Sequence, residues 1–201
     1  MPEPGELAPL LTVLRHLTAW LQAEQVRGVV IGGVAASLWG RPRLTRDVDA
    51  LVLLEEGRWG DFLAAGAGHG FLPRRADALA FALETRVLLM RHGESGIDLD
   101  LVFGSLPFEK EAAIRAKWVD LGGVAIPLSS PEDLIIMKAV AHRPRDLEDI
   151  AAILAAQPEL NVRRVRRWLR EFSGALAMPE ILNDLEALLS QRRKRPRPVP
   201  R

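Results

Sequence analysis

VVIGGVAASLWGRPRLTRDVDALVL, residues 29–53, is the stretch on which the reading of the fold turns. Val29-Val30-Ile31 is a short apolar run of the kind that forms a buried strand. Gly32-Gly33 follow, and residues 34–38 have room for one or two helical turns before the Gly40-Arg41-Pro42 break. The chain then passes through Thr45-Arg46-Asp47-Val48-Asp49 into Ala50-Leu51-Val52-Leu53, a second strand. Side chains alternate along a strand, so Asp47 and Asp49 share a face, roughly 6–7 Å apart. Two carboxylates so placed repel each other unless a cation, an arginine or a shared proton lies between them. Mg²⁺ is the natural partner, because it takes carboxylate oxygens and keeps other positions for water and substrate phosphate.

A second pair, Asp98 and Asp100, recurs in Gly96-Ile97-Asp98-Leu99-Asp100-Leu101-Val102-Phe103, again on one face of an apolar strand. Charges in a buried strand are costly unless paired or metal-bound. Two such strands side by side gather three or four carboxylates around one or two metal ions, an arrangement suited to in-line phosphoryl or nucleotidyl displacement.

Gly32-Gly33, thirteen intervening residues, Asp47-Val48-Asp49 and a later strand carboxylate together resemble the signature of the DNA polymerase β nucleotidyltransferase superfamily. Within it, the chain is similar to small bacterial AbiEii-type enzymes. The supporting segments are residues 43–49, 100–109, 128–138 and 145–150, in order, and the likeness spans about residues 29–154. The resemblance implies an α+β fold, with a mixed sheet flanked by helices and a small helical bundle after it. It implies a nucleoside triphosphate substrate, Mg²⁺ or Mn²⁺ on Asp47, Asp49 and Asp100, and transfer of a nucleoside monophosphate to a hydroxyl.

In that frame Gly32 and Gly33 either end a strand or let backbone N–H groups approach a triphosphate at a helix N-terminus. Asp100, better spaced than Asp98 from the Phe103–Phe108 segment, takes the third-carboxylate and general-base role. Lys138 is either a snorkelling surface lysine or a phosphate ligand. Asp146 matches an acidic family position and also suits a helix cap. Arg43 and Thr45 are candidates for phosphate contact. A tRNA 3′ end or a protein hydroxyl is the implied acceptor, and a cognate antitoxin the implied protein partner. Two other readings stand beside this one: small-molecule modification of the antibiotic-adenylyltransferase kind, and a non-catalytic, antitoxin-like partner of the same fold.

Composition narrows the classes. Hydrophobic residues make up 48% and charged residues 26% of 201, ordinary for a globular chain. Without cysteine there is no disulfide, zinc–thiolate site or thiol catalysis. No apolar run is long enough for a membrane span and the N-terminus lacks a signal-peptide pattern, so a cytoplasmic protein with no membrane partner is expected. Residues 191–201 hold six of the 27 Lys and Arg and no acid, leaving 21 against 26 acids, a net of −5, in residues 1–190. That mildly acidic body does not read as a general nucleic-acid binder.

The expected organisation is a catalytic domain over residues 1–128, a helical bundle over 129–190 and a disordered basic tail over 191–201. Residues 6–24 carry leucines at helical spacing. Helices are expected at 56–67, 77–82 and 107–118, a strand at 85–90, and a hairpin turning on Gly122-Gly123. Ser130-Pro131-Glu132-Asp133 reads as a helix start. Further helices are expected at 145–156, 162–172 and 179–190. The arginines of 163–170 are either a solvated face or a phosphate-holding one. The four histidines show no ligand spacing, and neither Ser37 nor Ser95 has a nucleophile-elbow context.

Overall fold

The computed structural model describes residues 4–43 and 45–194, with side-chain surroundings for 8–43 and 45–192. Seven strands form one mixed sheet: β1 (Arg27–Ile31), β2 (Asp47–Leu53), β3 (Phe71–Pro73), β4 (Val87–His92), β5 (Asp98–Phe103), β6 (Lys117–Leu121) and β7 (Val124–Leu128). Their order is β3-β4-β5-β2-β1-β7-β6. β2 runs parallel to β5 and β1 parallel to β7; the other neighbours are antiparallel. The apolar run at 29–31 is thus an inner strand, which is why it reads as continuously hydrophobic.

The chain divides into two compact units, Met1–Ser37 with Arg43–Ser130, and Leu38–Pro42 with Pro131–Arg201. In the first, one face of the sheet is buried and largely apolar: Val48, Ala50 and Val52 from β2, Leu88 and Met90 from β4, Leu99, Leu101 and Phe103 from β5. Helices α1 (Pro4–Ala23) and α3 (Trp59–Gly66) supply aromatic rings to this core. Trp20 stacks on Phe62 at 4.2 Å and Trp59 on Phe103 at 4.0 Å. Each such buried side chain contributes about 1.5–3 kcal/mol. Between them in sequence lies α2 (Gly32–Trp39), and beyond them α4 (Ala78–Thr85). α5 (Pro107–Ile114) packs on β1 and β2, its start fixed by Glu109 Oε2, which accepts from the N–H groups of Ser105 (2.7 Å) and Leu106 (2.8 Å).

Several element bounds differ from expectation. The helix starting at Pro107 stops at Ile114, because Lys117–Leu121 pairs with β7 across the Gly122-Gly123 turn. Both glycines have positive φ, and Asp120 Oδ1 accepts from Gly123 N–H at 3.1 Å. Residues 56–69 form α3 with a 3₁₀ turn at each end rather than one helix. β3, only three residues long, has no counterpart in the sequence reading. β4 extends to His92, two residues past the expected strand.

The second unit contains α6 (Pro131–Ala141), α7 (Pro144–Ala156), α8 (Val162–Leu176) and α9 (Glu180–Lys194). α6 is buried on nearly every side, so its charges are matched. Asp133, fully buried, receives Arg164 Nε (2.9 Å) and Nη2 (2.8 Å), and Glu132 Oε1 accepts from Asn161 N–H at 2.9 Å. α9 carries helix through residues 191–194, expected as tail, because Ile181, Leu185 and Leu189 anchor it and Arg192 donates to the carbonyls of Gln157 and Pro158. The rest of that expected tail, 195–201, lies outside the described residues. Among the described residues no helix is long and apolar enough to cross a membrane.

Candidate active site

The face of the sheet opposite the aromatic core carries the carboxylates. The β2–β5 register pairs Asp47 with Asp98 and Asp49 with Asp100, so four acids form a two-by-two array on adjacent parallel strands. Strands lie about 4.8 Å apart and residues two apart along a strand roughly 6–7 Å apart, so each acid neighbours one across and one along the sheet. Leu99 and Leu101 alternate with the β5 acids and are buried on the other face, as are Val48 and Ala50 in β2.

Asp49 also pairs with Ile31, the last residue of β1, which puts Gly32 beside it. Gly32 has φ +62°, and a Cβ there would lie 1.8 Å from Asp49 Oδ2. Only glycine lets the start of α2 close against that carboxylate. A Cβ on Gly33 would lie 2.9 Å from Thr45 Cγ2 and 3.6 Å from Arg43 Nη2. The loop that brings these two back is tied by Ser37, whose hydroxyl donates to Arg43 C=O (3.0 Å) and accepts from Arg43 N–H (2.9 Å). Gly32, Gly33, Arg43, Thr45, Asp47, Asp49 and Asp100 are therefore brought together in the first unit.

The array has its own cations, which sequence reasoning missed. Arg74 donates from Nη1 to Asp98 Oδ2 at 2.7 Å and from Nη2 to Asp100 Oδ1. Arg91, directly opposite Asp98 in the β4–β5 pair, donates from Nε to Asp98 Oδ1 at 2.7 Å. The hydrogen bond from Arg91, with Arg74 beside it, holds the Asp98 carboxyl below its ordinary range. Burial pushes Asp100 up; Arg74 opposes that, and the negative charges of Asp47 and Asp98 add to it. An arginine between two strand carboxylates is one of the arrangements the sequence left open, but the residue supplying it was not foreseen.

Carboxylate oxygens on one face beside a glycine cradle have the donor chemistry for Mg²⁺ or Mn²⁺. Among the described residues, however, no three such groups are gathered closely enough to hold a metal ion as they stand. Asp100 is engaged by Arg74 on its β3 side, while Asp49 lies against Gly32 on the other.

Lys138 and Asp146 belong to the second unit. Lys138 is buried, with Nζ 2.9 Å from Asp146 Oδ1 and 2.7 Å from Asp149 Oδ2. Asp146 Oδ2 also accepts from Arg143 N–H at 3.3 Å, the helix-start role, here for α7. Asp149 was not singled out from sequence, since the break at 142–144 hides its spacing from Lys138. On α8, Arg164 pairs with Asp133 and Arg166 with Glu186; Arg163, Arg167 and Arg170 are exposed, with the Arg167 guanidinium 5.1 Å from the Trp168 ring.

No family model matches the chain, and no curated protein matches it. Among solved structures it is similar to an antigenic nucleotidyltransferase-like protein from Paracoccidioides brasiliensis, with TM-score 0.51 and 17% identity over 89% of this chain and 93% of that one. It is also similar to the antibiotic-resistance factor ANT(2'')-Ia, with TM-score 0.50 and 15% identity over 85% of this chain and 95% of that one. MenT4, a nucleotidyltransferase toxin from Mycobacterium tuberculosis H37Rv, aligns more loosely, with TM-score 0.44 and 20% identity over 85% and 66%. The fold is the nucleotidyltransferase fold, a seven-stranded mixed sheet with helices, and at these identities the likeness speaks to fold alone.

Proposed function

We propose that this protein is a metal-dependent nucleotidyltransferase that moves a nucleoside monophosphate from a triphosphate to an acceptor hydroxyl. The observation that carries this reading is the carboxylate array with Gly32 closed against Asp49. Backbone N–H groups at Gly32 and Gly33, at the start of α2, are donors for the triphosphate, with Arg43 and Thr45 beside them. Asp47, Asp49 and Asp100 would hold Mg²⁺ or Mn²⁺, which when bound neutralises charge on the reacting phosphate and the leaving pyrophosphate. Asp100, the carboxylate of β5 beside Asp49, takes the proton of the attacking hydroxyl. The acceptor oxygen then bonds to the α-phosphorus as the bond to the bridging oxygen breaks and pyrophosphate leaves.

Lys138, buried between Asp146 and Asp149, contributes to phosphate binding only if those partners release it. A tRNA 3′ end is the first acceptor to try and a protein hydroxyl the second. On this reading the protein acts as a toxin restrained by a cognate antitoxin. The fold likeness to an antibiotic-resistance factor keeps a small-molecule acceptor as the second reading.

Incubation with each α-labelled nucleoside triphosphate and Mg²⁺, in the presence of total tRNA, cell protein or an aminoglycoside, tests it. The expected result is label on one acceptor, lost in Asp49→Ala and on chelation. Growth arrest on expressing the wild type but not Asp49→Ala supports the toxin role. Absence of transfer together with absence of metal-dependent nucleotide binding leaves the non-catalytic reading.

A further inference from the structure

One row of residues crosses four strands on the carboxylate face and continues to the residue after a fifth. Ile31 pairs with Asp49, Asp49 with Asp100, and Asp100 with Leu89. Arg74, the residue after β3, donates its backbone N–H to Leu89 C=O at 3.0 Å and so continues the row. Its side chain forks across two acids of β5, one terminal nitrogen to Asp98 and the other to Asp100. A planar guanidinium suits such a bridge, whereas an ammonium reaches only one point.

Two features mark the Asp100 half of this contact as the exchangeable one. Asp98 keeps Arg91 whatever Arg74 does, at 2.7 Å, so it is never left without a cation. Arg74 Nε is buried and lacks a hydrogen-bond partner among the described residues, so the guanidinium is not fully satisfied where it sits. Asp100 is the acid that the proposed reaction needs for both metal and proton.

We infer that Arg74 is a latch on the site: it competes with a divalent cation for Asp100, and a bound triphosphate, offering the guanidinium another anion, favours release. Arg74 is thus a positioning residue. Its consequence is that metal and nucleotide bind with positive coupling, each lowering the cost of the other. The inference rests on the nucleotidyl-transfer reading, and it assigns Arg74 a role whichever acceptor is used.

The test is Mn²⁺ binding, followed by electron paramagnetic resonance of the free ion, on the full chain with and without a non-hydrolysable triphosphate analogue. Wild type is expected to bind Mn²⁺ weakly alone and more tightly with the analogue. Arg74→Gln is expected to bind Mn²⁺ alone about tenfold more tightly, since a charge-assisted competitor is gone. The analogue then adds less than it does in wild type. Arg91→Gln removes the same charge from the array but touches only Asp98, so it reports the long-range field. Arg74→Lys keeps the charge without the fork and is expected to fall between wild type and Arg74→Gln.

Equal gains in Arg74→Gln and Arg91→Gln, or no gain in Arg74→Gln, overturn the latch while leaving metal binding intact. Mn²⁺ affinity in Asp100→Asn matching wild type also overturns it, because the contested carboxylate is then not a ligand. Absence of Mn²⁺ binding in every protein, with native circular dichroism, removes the nucleotidyl-transfer reading and the latch together.

Discussion

The two faces of strands β2, β4 and β5 are built from alternate residues of the same short segments, yet they do opposite work. One face holds Val48, Ala50, Leu88, Met90, Leu99 and Leu101 with essentially no exposure, under stacked aromatic rings. The other holds Asp47, Asp49, Asp98 and Asp100 with Arg74 and Arg91. The contrast teaches that the apolar face supplies the rigidity and the acidic face uses it. Like charges this close stay together only because the backbone register is fixed from behind and because cations are supplied from β3 and β4.

That division is open to a double dissociation, which has the largest expected effects. Asp49→Ala should reduce nucleotidyl transfer by about a thousandfold or more, as loss of a metal-holding, charge-stabilising group does. Its thermal unfolding should shift little, since the residue is only half-buried on the acidic face. Leu101→Ala, at 0% exposure, should instead cost about 2–5 kcal/mol in urea unfolding through transfer and cavity terms. A large stability loss in Asp49→Ala and a small one in Leu101→Ala would break the comparison.

Gly32→Ala sharpens it from the edge. The added Cβ meets Asp49 Oδ2 at 1.8 Å in a left-handed backbone conformation, so both the α2 start and the carboxylate must move. Transfer activity should fall by about a hundredfold or more, with a destabilisation of about 1–3 kcal/mol from the strained backbone. Gly57, with nothing within 4 Å of its Cβ position, should accept alanine with neither effect.

The smallest effect lies on the apolar face, where His92 is the buried titratable residue of β4. Its Nδ1 faces the Ser95 hydroxyl at 2.9 Å and its Nε2 faces His16 Nδ1 at 2.9 Å. Burial lowers its affinity for a proton; the neighbouring His16 lowers it further and Glu94 partly restores it. The unfolded chain thus binds the proton more readily than the folded one. Stability is fully present above the ordinary histidine range, near 6.5, and is lost as pH falls through and below it. Urea midpoints measured from pH 7.5 to 5 should show this decline, and His92→Gln should flatten it.

The central strands were legible because alternation with a period of two is visible within five or six residues, and Asp47 with Asp49, and Asp98 with Asp100, could each be put on one face of their strand from it. The register between β2 and β5 could not, because the parallel pair is joined through β3, β4 and the helices between them. Arg74 was hidden for the same reason. β3 is three residues long and carries no periodicity of its own, so nothing local ties Arg74 to Asp100, two strands away. Arg91 was hidden by a strand end: once β4 reaches His92, Arg91 faces Asp98 directly rather than lying in a turn. The stop of α5 at Ile114 was set by pairing of Lys117–Leu121 with β7, a tertiary contact overriding helical propensity.

The most direct measurement is a crystal structure of the protein with Mn²⁺ and a non-hydrolysable triphosphate, with the metal located by its anomalous signal. The account predicts Mn²⁺ between Asp47, Asp49 and Asp100, phosphates against the Gly32-Gly33 backbone, and the Arg74 guanidinium drawn off Asp100. Metal and nucleotide bound elsewhere, with Arg74 still bridging Asp98 and Asp100, would contradict it.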